Sequence, residues 1–154
     1  MAVGKLLSSD GADRFELQRF LDAQDRVYDT VLDELRAGRK RSHWIWFVFP
    51  QLQGLGRSAT ATRYGISALE EARAYLAHTV LGPRLRECTR LVARIESASA
   101  DEIFGFPDTL KVRSSMTLFA RAADDPDVAA DFRAVLDKFY DGVEDGLTVA
   151  QLAR

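Results

Sequence analysis

The densest group of side chains that could do chemistry lies in residues 39–56, with the sequence RKRSHWIWFVFPQLQGLG. Guanidinium and ammonium groups bind phosphate, an indole stacks on a base or a sugar, and an amide binds hydroxyl groups. We therefore predict that this segment contributes to the binding site of a small phosphorylated or nucleotide-like ligand. The predicted contacts are Arg39, Arg41, His43, Trp44, Trp46 and Gln51.

His43 is the candidate for proton transfer in this segment, because an imidazole exchanges protons near neutral pH. The sequence identifies no other catalytic candidate. It does not decide whether the protein is an enzyme.

Residues 111–115 form a second candidate group. Lys111, Ser114 and Ser115 are three and four residues apart, so a helix would place them side by side. With Arg113 they could bind an anion or the hydroxyl groups of a ribose.

Both groups also have a structural interpretation. Cations are favoured at a helix C-terminus, aromatic side chains fill cores, and serines hydrogen-bond to helix carbonyls. The sequence alone leaves the two interpretations open. The binding interpretation requires that His43 and Lys111 face one cavity.

Metal and dinucleotide sites are disfavoured. Cys88 is the only cysteine, and with two histidines it cannot form a four-ligand Cys/His zinc site. Residues 54–59 match the spacing G-x-G-x-x-A, but no strand–helix–strand pattern surrounds them. We interpret them as a turn that needs positive φ at Gly54 or Gly56, and we expect no metal and no cofactor.

Composition favours one folded domain in the cytoplasm. Of the 154 residues, 47% are apolar, which argues against disorder. A net charge of −2 disfavours a nucleic-acid partner, and no apolar run has the length of a membrane span or a signal peptide. A homo-oligomer is compatible with these numbers.

The periodicity predicts a mainly α-helical fold: one compact domain of about six to eight helices over residues 13–154, after a flexible leader over 1–12. Apolar residues recur every three or four positions from Phe15 to Leu35, with a break near Asp25 and a C-terminal Gly38. Capping boxes of Ser67 with Glu70 and of Ser99 with Glu102 predict two further helix starts. Asp108 is expected to open another helix, Asp125 or Asp127 the next, and Thr148 to cap a final turn.

Residues 44–49 are a continuous apolar run that periodicity cannot assign. The chain has no second such run to pair with, so a strand would leave its backbone groups unsatisfied. We therefore predict a short helix that is capped by Ser42 and ended by Pro50.

The segments RKRSHWIWFVFPQLQGLGRS, LEEARAYLAH and IFGFPDTLKVRSSMTLFA resemble an uncharacterised bacterial and fungal family of unknown function, whose members often carry the label "calpastatin". The resemblance spans about residues 15–152 and implies a compact, mainly helical domain. A calpain inhibitor of that name is a disordered polar chain, whereas this composition is that of a chain that folds alone.

The chain is also faintly similar to the NADAR superfamily, in its helical architecture and its aromatic segment near a histidine. That resemblance implies ADP-ribose or N-glycosidic chemistry, with a ligand between residues 39–46 and 111–115. The rival hypothesis is a protein-interaction or structural module without catalysis.

Overall fold

A computed structural model of the chain describes residues 13–154, so the leader predicted for residues 1–12 lies outside the described residues. Ten helices follow one another along the described part. They are α1 (Gln18–Asp25), α2 (Tyr28–Arg36), α3 (Ile45–Val48), α4 (Ala59–Arg63), α5 (Leu69–Ala77), α6 (Leu81–Arg94), α7 (Ala100–Phe104), α8 (Asp108–Ala122), α9 (Pro126–Phe139) and α10 (Gly146–Leu152).

The mainly α-helical fold is confirmed. Within residues 13–154 there is no strand, only an isolated parallel bridge between Leu52 and Ile66. The helices outnumber the six to eight expected because α3, α4 and α7 are single turns of four or five residues. Such short turns carry too little periodicity to be counted from the sequence.

Helix α8 lies at the centre of the fold and packs against α3, α5, α7, α9 and α10. Every residue from Ser114 to Ala120 is buried. The Phe119 ring lies 5.3 Å from the Tyr75 ring and 5.8 Å from the Phe132 ring, measured between centroids. This one aromatic side chain therefore joins α5, α8 and α9.

Several predicted helix ends are confirmed. Ser99 and Glu102 form a complete capping box at the start of α7, and Asp125 caps α9. The predicted break separates α1 from α2, and Gly38 has a φ of +77° just after α2. Gly54 also has a positive φ, +94°, as the turn interpretation requires.

Three predicted caps are wrong because each side chain finds another partner. The Ser67 hydroxyl donates to Glu71 instead of capping with Glu70, and α5 starts after Ala68. Ser42 donates to Glu34 and does not cap α3.

The third wrong cap is Thr148. Asp145 caps α10 instead, and the Thr148 hydroxyl in the first turn donates to the Asp145 carboxylate.

No helix within residues 13–154 has the length and hydrophobicity needed to cross a bilayer.

Candidate functional site

The predicted segment 39–51 is held in place by the buried carboxylate of Glu34. It accepts hydrogen bonds from the Arg41 amide at 2.7 Å, the Ser42 amide at 3.1 Å and the Ser42 hydroxyl at 2.6 Å. The Trp44 indole donates the fourth, at 2.8 Å. Burial raises the pKa of Glu34, but these four bonds outweigh it and lower the pKa to about 2.

Trp44 is therefore a core residue, 1% exposed, whose N–H is satisfied by Glu34. Arg39, Arg41 and His43 are exposed. Gln51 is half-buried, and its backbone carbonyl accepts a hydrogen bond from the Ile66 amide.

Trp46 and Lys111, predicted in separate segments, are brought together by the packing of α3 against α8. The Lys111 ammonium lies 4.5 Å from the centroid of the Trp46 ring. It also pairs with Asp108 at 3.2 Å, and Asp108 pairs with Lys40 at 2.7 Å. One carboxylate thus partly neutralises Lys111, a cation on which the predicted anion site depends, and also pairs with Lys40.

Ser115 and Trp46 carry the two buried polar atoms that find no hydrogen-bond partner within residues 13–154, Ser115 Oγ and Trp46 Nε1. Ser115 lies one turn after Lys111 on α8, and Trp46 lies against Lys111. A buried polar group without a partner costs stability, so each such group calls for an explanation.

The other two predicted residues of α8 have structural partners. The Ser114 hydroxyl donates to the Leu110 carbonyl at 3.1 Å, as the alternative interpretation expects. Arg113 donates to the carbonyls of Val143 at 2.9 Å and Glu144 at 2.8 Å, so it fixes the connection between α9 and α10.

The larger of two described cavities, about 760 Å³, lies between α5, α6 and the connection from α8 to α9. We call it the arginine cavity after its lining residues Arg36, Arg73, Arg86, Arg90 and Arg94. The carboxylates that line it are Glu87, Asp124 and Asp125, and its apolar wall includes Leu76, Pro83, Leu91 and Val128. None of the predicted site residues lines it.

Three of these arginines are anchored through Nε. Arg86 Nε lies 2.8 Å and Arg90 Nε 3.1 Å from the same oxygen of Asp131 on α9. Arg73 Nε donates to the Ala122 carbonyl at 3.3 Å. For all three, the terminal Nη groups have no hydrogen-bond acceptor in the part of the chain that the structure describes, so they are available to a ligand.

None of the sites predicted from the sequence corresponds to this cavity, although part of its signal is visible. Arg86, Arg90 and Arg94 are spaced by four residues within LGPRLRECTRLVAR, and this spacing places them on one face of α6. The contributions of Arg36 and Arg73 come from distant parts of the chain. Only tertiary packing reveals those two.

The second described cavity, about 320 Å³, surrounds Arg19. This guanidinium donates to four carbonyls and to the Glu71 carboxylate, at distances from 2.6 to 3.0 Å. Its donors are used by the protein itself, so Arg19 holds the start of α5 against α1.

Cys88 is buried in the core. Burial raises the pKa of its thiol to about 12, so the thiol is not a nucleophile at neutral pH. Within residues 13–154 there is no cluster of three or more His, Cys, Asp or Glu that could hold a metal ion.

The comparisons with known proteins agree with the fold. A family model described as "Protein of unknown function (DUF1810)" matches residues 14–152. A solved structure, the conserved hypothetical protein Rv1873 from Mycobacterium tuberculosis, is 62% identical with a TM-score of 0.88. The match covers 91% of this chain and 98% of that one.

No curated protein shows significant similarity to the chain. The calpastatin label and the NADAR resemblance find no support in these matches and stay predictions.

Proposed function

We propose that this chain, which belongs to the DUF1810 family, binds a small phosphorylated or nucleotide-like ligand in the arginine cavity. The observation that carries the proposal is the charge of the lining. Five arginines against three carboxylates leave a formal charge of +2 around a cavity of about 760 Å³, a volume typical of small-molecule sites. Arginine forks match the geometry of phosphate oxygens.

A thermal-shift screen tests the proposal with AMP, ADP, ADP-ribose, ribose 5-phosphate and inorganic phosphate. A ligand at a hundred times its Kd stabilises the native state by about 2.7 kcal/mol, which raises Tm by roughly 5 to 10 °C in a chain of this size. We expect at least one organic phosphate to produce such a shift and Arg90→Ala to abolish it.

Arg57→Ala is the matched control, because Arg57 is exposed and does not line the cavity. It removes the same charge and should leave the shift intact. If no phosphorylated compound raises Tm, or if both variants respond equally, the cavity is not a phosphate site.

Three of the sequence-predicted residues remain a second proposed place for the same ligand: Trp46, Lys111 and Ser115. Neither His43 nor Lys111, however, lines a described cavity. Its support is the contact of Lys111 with Trp46 and the two unpartnered atoms, Trp46 Nε1 and Ser115 Oγ. Lys111→Met removes the charge and retains the packing of the side chain. If Lys111→Met abolishes the ligand shift and Arg90→Ala does not, the ligand binds beside α3 and α8 instead.

An interaction module is the second candidate function, and exposed apolar side chains favour it. Phe106 is 79% and Leu147 70% exposed. Leu110 and Val143 are also exposed, and they lie on neighbouring elements because Arg113 donates to the Val143 carbonyl. This candidate predicts that light scattering detects a dimer, and that Leu147→Ser converts it to a monomer that remains folded.

A further inference from the structure

Asp131 contacts two of the arginines that line the arginine cavity. One of its oxygens contacts Nε of both Arg86 and Arg90, and its side chain is only 15% exposed. The two arginines are four residues apart on α6, so their guanidinium groups are neighbours. Arg86 Nε donates a hydrogen bond to Asp131, and Arg90 Nε forms an ion pair with the same oxygen. Asp131 can therefore orient both planar groups, while the Nη donors of each have no acceptor in the described part of the chain.

Two oriented guanidinium groups with free Nη donors form a binding site for a tetrahedral dianion. Each guanidinium can donate to two phosphate oxygens, and a terminal phosphate has three such oxygens. A phosphodiester offers only two charged oxygens and one negative charge. The geometry therefore favours a terminal phosphate.

The charge of the cavity points to a single terminal phosphate. The lining carries a formal charge of +2, and Asp131, which contacts Arg86 and Arg90, lowers the local charge to +1. This charge suits one phosphomonoester, whose charge at pH 7 is about −1.5 to −2, and not two. Glu87, Asp124 and Asp125 line the same cavity and would repel a second phosphate. They would accept hydrogen bonds from hydroxyl or amino groups on the rest of the ligand.

The cavity is also much larger than one phosphate group. Leu76, Leu91 and Val128 give it an apolar wall that could pack against a ring. The carboxylates and the apolar wall together suit a sugar or a nucleoside, since both combine hydroxyl groups with an apolar ring face.

We infer that the arginine cavity recognises a phosphomonoester of a sugar or nucleoside through Arg86 and Arg90, with Asp131 as the positioning residue that orients them. The inference rests on the proposed function and names the ligand class of the same site. Asp131 itself is not expected to touch the ligand.

Calorimetric titration with AMP and ribose 5-phosphate tests the ligand class. Cyclic AMP serves as the diester probe, and adenosine and ribose serve as the phosphate-free probes. We expect at least one of the two monoesters to bind at least tenfold more tightly than its diester or phosphate-free counterparts.

Asp131→Asn tests the positioning role, because charge and orientation predict opposite results. Removing a carboxylate makes the cavity more positive, so charge alone would strengthen the binding of an anion. Loss of the oriented pair should instead weaken monoester binding at least fivefold. If Asp131→Asn binds the monoester more weakly although the cavity is more positive, the loss of affinity cannot be an effect of charge.

Arg90→Lys is the second variant, because it keeps the positive charge and removes the planar guanidinium that can donate to two phosphate oxygens. Arg90 is half exposed, 52%, so this variant should fold normally. We expect it to lose selectivity for the monoester over the diester. Circular dichroism and the Tm without ligand, measured for both variants, confirm that each is folded.

The possible outcomes separate the inference from the proposed function. If phosphorylated ligands bind but the diester binds equally well, the monoester class is wrong and the cavity remains a phosphate site. If monoesters bind and Asp131→Asn binds them equally or more tightly, Asp131 has no positioning role. If no phosphorylated probe binds, both proposals fail.

Discussion

At the scale of single residues, Glu34 determines what the cationic segment can do. Its carboxylate is bound by two backbone amides, a hydroxyl and an indole, and not by the guanidinium groups beside it in sequence. Arg39 and Arg41 are exposed as a result. Arg39 and Arg41 therefore face solvent, whereas Lys40 of the same segment lies 5.3 Å from the centroid of the buried Trp44 ring. The sequence suggests one common site for all three cations.

Glu34→Gln should destabilise the protein by roughly 2 to 3 kcal/mol at pH 7, because a buried carboxylate with four donors is replaced by a neutral amide. The pKa of Glu34 is about 2 in the fold and 4.5 ordinarily. The ionised carboxylate therefore stabilises the fold above pH 4.5, and this contribution is lost as the pH falls toward 2. Urea unfolding at pH 7 and pH 3 measures both effects.

Asp33→Asn is the matched control, since the neighbouring Asp33 side chain is 80% exposed. Its effect should stay within about 0.5 kcal/mol at both pH values. An equal loss in the two variants would mean that the hydrogen bonds to Glu34 contribute nothing beyond general charge.

At the scale of elements, the corner between α5 and α6 shows how closely the helices approach. His78 ends α5, and its Nδ1 accepts from the amides of Val80 and Leu81 at the start of α6. Gly82 follows, and a Cβ there would lie 2.1 Å from the Leu76 carbonyl oxygen. Leu76 and Gly82 both line the arginine cavity, so this corner also shapes the proposed site.

Gly82→Ala should therefore cost at least about 3 kcal/mol, because the added methyl group meets backbone that cannot move independently. Gly146→Ala makes the same chemical change where no atom lies within 4 Å of the new methyl group. We expect that control to leave stability within about 0.5 kcal/mol. Thermal or urea unfolding of the two variants gives the comparison, and equal effects would contradict the close approach.

At the scale of the whole molecule, the long central helix α8 connects the other helices of the described chain, so we expect them to unfold together. It packs against five other helices, and its residues 114–120 are all buried. Loss of packing on α8 should therefore weaken every layer at once. The single domain predicted for residues 13–154 can be tested in this way.

Phe119→Ala should lower the free energy of unfolding by about 3 to 5 kcal/mol, because it leaves a cavity between α5, α8 and α9. Phe106→Ala removes the same ring from a position that is 79% exposed and should change stability by less than about 0.5 kcal/mol. Calorimetry of Phe119→Ala should show one transition at a lower temperature. Two transitions would contradict a single domain.

The sequence by itself determined the helical class and several helix ends of this protein. These features depend on residues that are close together in the sequence: the apolar spacing, the Ser99 capping box and the glycines with positive φ. They can therefore be predicted without knowing the tertiary structure. Caps at Ser42, Ser67 and Thr148 were mispredicted because Glu34, Glu71 and Asp145 compete for the same hydroxyl groups.

Only the tertiary structure decided where the charged side chains meet. Lys40 joins Asp108 and Lys111, which are three residues apart on α8, from a distant position in the chain. The arginine cavity collects residues from four stretches between Arg36 and Val128. Spacing along one helix can show that Arg86 and Arg90 are neighbours. It cannot show that Asp131 of another helix orients them, because contact between helices depends on how the whole chain packs.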